Sequence, residues 1–279
     1  MILALDIGAT HIRSALVAGK IVKERKVIDT PSSKKQIIKS LFKLIDSYPS
    51  VTCICAGVAS FISKGVTKNT QNMDFANVNV KKLFEQKYKV PVYIDNDANC
   101  AGLAELIYGK GKGKKNFLVL TLGTGIGGAV IINGSLYRGN SFAGEPGQLL
   151  INGKRLEQLA SGSAALKMAI SEGLKMDNPE LNRLAMSGNS KAKAIYKNIG
   201  YSLGLGILNI SYIFDPEIFI IGGGFSNVTS VIKEATTIFH RLDVIQRKIP
   251  VVRTAFGDDA GLIGSALLTI DNSTLCTNQ

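Results

Sequence analysis

Twice in this chain an apolar run ends in a tight glycine turn, resumes as a second apolar run and closes on a hairpin. The first copy is Ile2–Leu5, the turn Asp6-Ile7-Gly8-Ala9-Thr10, then Ile12–Ala18 with the turn pair Gly19-Lys20. The second is Phe117–Leu122, the turn Gly123-Thr124-Gly125-Ile126-Gly127-Gly128, then Ala129–Ile132 with Asn133-Gly134. Short β-rich runs joined by such pairs are antiparallel strands. Glycine accepts positive φ and lets backbone N–H groups approach an anion, so both turns can cradle phosphate. Two such turns, one carrying a carboxylate, predict a nucleotide clamped between two halves of the molecule.

The chain is long enough for that arrangement: 279 residues, 46% of them apolar and 19% charged, predict a globular protein of two domains. The longest apolar stretches, Ile207–Phe214 and Ile218–Ile221, are split by Asp215-Pro216-Glu217, so neither reaches membrane-spanning length. Met1 opens directly into a strand with no basic, apolar and cleavage regions ahead of it, and a cytoplasmic protein is expected. The net charge of +12 is spread over separate lysine groups without a recognition motif, which argues against nucleic acid as the partner. Cys53 and Cys55 share one face of an apolar run and are read as buried free thiols.

Strands are expected at Ile2–Leu5, Ile12–Ala18, Ile21–Val27, Val51–Val58 and Val92–Ile94. Helices are expected at Ser32–Tyr48, Val80–Tyr88 and Ala98–Tyr108. The glycine- and lysine-rich stretch Gly109–Lys115 is the expected hinge. Beyond it Phe117–Tyr137 repeats the opening hairpins, and Leu156–Ile170 and Ala192–Phe214 read as helices. Ile218–Ile221 and Val251–Ala255 read as strands, and Ala260–Ile270 as a final helix. The expected division is 1–109, with the C-terminal helix from about 260 to 279, against 110–259.

Ligands of α/β sheets collect at the carboxyl ends of strands. Asp95-Asn96-Asp97-Ala98-Asn99 lies at such an end, where Asp97 could take a proton from a hydroxyl and Asn96 could bond a neighbouring one. Either residue could instead cap the following helix. Glu145 stands in the Gly/Pro loop Ala143–Gln148, and Glu157 at a helix start, where a carboxylate also suits the helix dipole. Gly222-Gly223-Gly224 could press backbone against a flat base or simply turn the chain.

Taken in order, these motifs resemble the ROK family of sugar kinases, within the actin–hexokinase–Hsp70 ATPase superfamily, from Ala4 to about Ala266. The resemblance implies an α/β fold of two RNase H-like, actin-like ATPase domains, each a mixed sheet flanked by helices, with a cleft between them. It implies ATP and Mg²⁺ as cofactors, with Asp97 as general base and Asn96, Glu145 and Glu157 as sugar ligands. Asn72 would be a further sugar contact. Asp6 would act on Mg²⁺ through water. Gly8, Thr10, Gly123, Thr124, Gly125 and Gly127 would surround the phosphates, and Gly222, Gly223 and Gly224 the adenosine. A homodimer is implied by the same analogy.

The chain also departs from the family pattern. Gln148 stands where many members carry a zinc-binding, sugar-contacting histidine, and Asn152-Gly153-Lys154-Arg155 runs to Leu156-Glu157 without cysteine or histidine. No structural zinc site is expected there, because such sites need about four N/S ligands. Gln148 remains a hydrogen-bonding candidate for sugar. His11 and His240 are read as incidental, with His11 beside the first phosphate turn. The expected activity is transfer of the ATP γ-phosphate to the 6-hydroxyl of a hexose or N-acetylhexosamine. The alternatives are an N-acetylmannosamine kinase specifically or a catalytically silent sugar-binding relative.

Overall fold

The chain folds into two five-stranded mixed sheets of identical topology, seen in a computed structural model that describes residues 1–68 and 73–271. The first sheet has the order β3-β2-β1-β4-β7, formed by β1 (Ile2–Ile7), β2 (His11–Ala18), β3 (Ile21–Asp29), β4 (Cys53–Val58) and β7 (Val92–Asn96). β1 pairs antiparallel with β2, Asp6 opposite Arg13, and parallel with β4, which in turn pairs parallel with β7. The second sheet repeats this as β10-β9-β8-β13-β14, from β8 (Phe117–Leu122), β9 (Ile126–Ile132), β10 (Ser135–Tyr137), β13 (Phe219–Gly222) and β14 (Val251–Arg253). Two small ribbons complete the strands: β5 (Ile62–Ser63) with β6 (Val66–Thr67), and β11 (Leu150–Ile151) with β12 (Lys154–Arg155).

Helices cover both sheets. α1 (Lys34–Asp46) buries Ile37, Leu41, Leu44 and Ile45 at helical spacing, and α2 (Val80–Tyr88) adds Val80 and Phe84. Their core joins Leu3, Leu5 and Ile54 of the first sheet. In the second half, α4 (Leu156–Ala160), α5 (Gly162–Ser171), α6 (Asn178–Met186), α7 (Ser190–Phe214) and α8 (Thr229–Leu242) enclose a larger core around Leu120, Ile199, Leu203, Phe219 and Phe239. Asp215 adopts a left-handed conformation that ends α7, and Pro216 follows.

α3 (Asp97–Ile107) and α9 (Ala260–Ala266) lie between the halves. Cys100, Ala101 and Leu103 of α3 pack with Phe117, Val119, Ala129 and Ile131 of the second sheet, while α9 packs on β1, β4 and β2 of the first. The two helices cross so closely that a Cβ at Gly264 would stand 1.6 Å from the Cys100 carbonyl oxygen. Only glycine permits this approach, and Gly102 of α3 is pressed in the same way on Ala129 of β9, where a Cβ would stand 2.5 Å from the alanine Cβ.

Several boundaries differ from the sequence reading. The helix expected over Leu156–Ile170 is two helices, broken at Ser161, whose extended backbone lets its Oγ accept from Ala164 N and cap α5. α6 and α8 were not anticipated. Gly127 and Gly128 belong to β9 rather than to the turn, opposite Thr121 and Leu120. Gly128 is needed there because a Cβ would fall 2.8 Å from Pro146 Cδ, where the 144–146 loop crosses the strand. The final helix is shorter, giving way after Ala266 to a 3₁₀ turn over Leu267–Thr269.

Candidate active site

The two glycine turns meet. Thr10 Oγ1 and Thr124 Oγ1 lie 3.0 Å apart across the cleft, one from each half of the chain. The first turn is closed by Gly8 N donating to His11 O at 3.0 Å, and Thr30 Oγ1 donates to Gly8 O at 2.7 Å. In the second, Gly123 N donates to Gly125 O at 3.0 Å. It is braced from behind by Gly162 N on Gly123 O at 2.9 Å and Ser163 N on Thr124 O at 3.4 Å. The head of α5, whose first N–H groups have no partner within the helix, therefore spends two of them on bracing the second turn.

Behind these turns stand two carboxylates. Asp6, at the end of β1, is largely buried and accepts from Arg13 Nη1 at 3.2 Å, its hairpin neighbour. Burial nevertheless holds the Asp6 carboxyl above its ordinary value, against the opposing pull of Arg13. Asp97 opens α3 at the end of β7. Burial, with the Asp6 charge nearby, pushes its carboxyl up to about 7. The helix cap is Asn96: its Oδ1 accepts from Ala98 N at 2.8 Å and Asn99 N at 3.2 Å, while its Nδ2 donates to Ser60 O at 3.2 Å. Asp97 Oδ1 accepts from Ala98 N at 2.9 Å, and Oδ2 has no hydrogen-bond donor among the described residues, which leaves it available to the cleft. Asp95 points to the other side of the sheet, where Arg138 Nη2 meets it at 2.6 Å.

The loop after β10 supplies the remaining polar groups. Gly144, at φ +84°, turns the chain so that Glu145 precedes the single 3₁₀ turn Pro146–Gln148. Gln148 Nε2 donates to Glu157 Oε1 at 3.1 Å, fixing the side chain at the start of α4. Burial, then the charges of Asp97 and Glu157, push Glu145 up to about 8. Glu145 thus lies close enough to Asp97 and Glu157 to feel both of their charges. Such a group suits a neutral polyol, whose hydroxyls can donate to the carboxylate oxygens without adding charge. Phe61, following β4, meets Phe142 edge-on, with ring centroids 5.5 Å apart, and joins the two halves beside the same loop.

The third glycine group lies at the end of β13. Gly223, at φ +79°, presses so closely on the second turn that a Cβ would sit 2.3 Å from Leu122 O. Gly222 is buried beside Thr254, and Gly224 is exposed at the start of a 3₁₀ turn. Gly8, Gly125 and Gly127 all lie within or beside the paired turns. Asn72 lies outside the described residues. His11 Nδ1 is turned to Asp29 at 3.1 Å.

Arg13, Phe61, Phe142 and Arg138 were not singled out from the sequence. Arg13 was legible in principle: hairpin register places it opposite Asp6. The others come together only through contacts between distant segments.

The chain's relatives fit this geometry. It is 29% identical over 283 residues to a beta-glucoside kinase from Listeria monocytogenes, covering 95% of each chain. It is 26% identical over 304 residues to a glucokinase from Streptomyces coelicolor, covering 95% of this chain and 96% of the relative. A solved ROK family glucokinase from Streptomyces griseus, in complex with glucose and AMPPNP, superimposes with a TM-score of 0.87 at 25% identity, over 95% of this chain and 98% of that one. The ROK family profile matches residues 2–272, and the chain belongs to the ROK family.

Proposed function

We propose that this protein is an ATP-dependent sugar kinase that transfers the γ-phosphate to the 6-hydroxyl of a hexose or N-acetylhexosamine. The observation that carries this reading is the meeting of Thr10 and Thr124, 3.0 Å apart, in front of the carboxylate pair Asp6 and Asp97. Glucose and AMPPNP bound to the Streptomyces griseus relative support the same substrates here.

In this reading the backbone N–H groups of both turns and the Thr10 and Thr124 hydroxyls hold the nucleotide phosphates, and Gly222–Gly224 lie along the adenosine. Asn96, Glu145 and Glu157 hold the sugar, with Gln148 orienting Glu157. Asp97 takes the proton of the attacking hydroxyl. A carboxyl held near 7 is better matched to this task than an ordinary one at 3.8, since about half of it is ionised at neutral pH and it is more basic. Positioning of the two reactants supplies most of the remaining acceleration expected of phosphoryl transfer.

The residues also suit a magnesium ion. Asp6 and Asp97 are hard oxygen donors held above their ordinary range by burial, and for Asp97 also by the Asp6 charge, with Arg13 the cation in contact with Asp6. Mg²⁺ is commonly held by one or two carboxylates plus waters and substrate phosphates, and when bound it neutralises phosphate charge. Asp6 would hold it through water.

The lobes are taken as 1–109 with the helix from about 260, and 110–259, in keeping with the two separate sheets. The test is ADP release by purified protein with ATP, Mg²⁺ and a panel of glucose, mannose, fructose and their N-acetyl derivatives. At least one sugar should give turnover that Asp97→Asn lowers by about 10²-fold or more. Turnover by Asp97→Asn at a near wild-type rate would remove Asp97 from the role of base.

A further inference from the structure

Glu105 is fully buried in the last part of α3, where a carboxylate lies close to the negative end of the helix dipole. Among the described residues its carboxylate accepts from two backbone amides and one hydroxyl, all from chain segments that run between the lobes. Oε2 accepts from Lys110 N at 2.7 Å, in the segment leading from α3 to β8. Oε1 accepts from Thr254 Oγ1 at 2.5 Å and Ala255 N at 2.9 Å, in the segment leading from β14 back to α9. Gly109 lies so close that a Cβ there would meet Glu105 Oε2 at 2.1 Å. One carboxylate therefore ties both crossings between the lobes to the helix that begins with Asp97.

A buried charge at the wrong end of a helix is a local cost, and natural chains keep such features where function needs them. We infer that Glu105 is a positioning residue, the pivot that couples closure of the lobes over sugar and nucleotide to the placement of Asp97. This rests on the kinase reading above. Asp97 and Glu105 are eight positions apart on one helix, about 12 Å along its axis. A rigid helix of that length converts rotation about the Glu105 end into displacement of the Asp97 end. Because both crossings share one carboxylate, neither can pivot alone: the lobes must turn together about it. Thr254 also lies beside Gly222, a Cβ on which would be 3.6 Å from Thr254 Cβ, so the same knot touches the third glycine group.

Glu105→Gln keeps the volume but replaces one acceptor oxygen with an amide NH₂ donor, so one of the two crossings faces a donor against a donor. Wild-type protein should bind AMPPNP more tightly with saturating glucose than without it. Glu105→Gln should lose about tenfold of that coupling while its affinity for AMPPNP alone stays within about twofold. In hydrogen exchange, the Lys110 and Ala255 amides should speed up together in the variant. Thr254→Val removes one donor of the three, keeps the buried carboxylate paired, and should show a smaller loss of coupling, about threefold. Unchanged coupling in both variants, or a loss of AMPPNP affinity that is equal with and without glucose, would reduce Glu105 to a structural role. So would exchange that changes at only one of the two amides. A wild-type protein that phosphorylates no sugar, yet shows joint protection at Lys110 and Ala255 that Glu105→Gln loses, would remove the kinase reading and leave the knot standing.

Discussion

Replacing Asp97 by asparagine should make the protein more stable while making it inactive. In the folded state the carboxyl is held at about 7 against an ordinary 3.8, chiefly by burial and then by Asp6. Folding therefore favours its neutral form, and ionising it in place works against the fold. The sign follows from proton counting. Between pH 3.8 and 7 the folded state binds the proton that the unfolded state has released, so stability falls as pH rises through that window and levels off above it. At 1.36 kcal/mol per pH unit the full separation corresponds to about 4 kcal/mol, an upper bound for a side chain still partly open to the cleft. Solvent screening brings the expected gain to about 1–2 kcal/mol. For a chain of this size, that is about 2–4 °C in Tm. The substitution is nearly isosteric, and an asparagine Oδ1 can keep the bond from Ala98 N. The assay is thermal unfolding of wild type and Asp97→Asn, without ligand, in matched buffers at pH 8 and pH 5. The gain should be present at pH 8 and at most about half as large at pH 5, where folded Asp97 is already neutral. A variant less stable than wild type at pH 8, or a gain independent of pH, would refute the burial and charge argument.

Two further outcomes follow from named contacts. Gly223→Ala should cost more than about 3 kcal/mol or prevent folding, because its Cβ would enter the Leu122 backbone at a left-handed φ; a Tm within a few degrees of wild type would contradict the tight seam. Gln148→Glu would place a second carboxylate where Gln148 now donates to Glu157, beside Glu145. Sugar affinity, read as KM across the panel, should weaken by about tenfold at pH 8 and recover in part at pH 6, where Glu145, held at about 8, is protonated.

Much of the site was legible because it is written in short segments. The paired turns at Gly8–Thr10 and Gly123–Gly125 each require local backbone freedom, and Asn96-Asp97 sits where a strand gives way to a helix. The cap was ambiguous in sequence because Asn and Asp serve equally well at an N-cap. The structure gives that task to Asn96, which frees one Asp97 oxygen. α6 and α8 were missed although α6 opens with a capping box of Asp177 and Glu180, a local signal that was readable. The break at Ser161 was hidden because both flanking segments are apolar at helical spacing, and the reason for the break is a contact with Gly123 from elsewhere in the chain.

The sequence by itself determined the repeated strand–turn–strand units, the carboxylates at strand and helix ends and the glycines that allow close approach, since these depend on φ, ψ and neighbours a few positions away. Tertiary structure alone decided that Thr10 faces Thr124, that Asp97 feels Asp6 and Glu145 feels both Asp97 and Glu157, and that Glu105 binds two distant crossings. Charge and hydrogen bonding act over a few ångströms of space, and in this chain those few ångströms join residues as far apart in sequence as Arg25 and Asp259, 3.0 Å from each other.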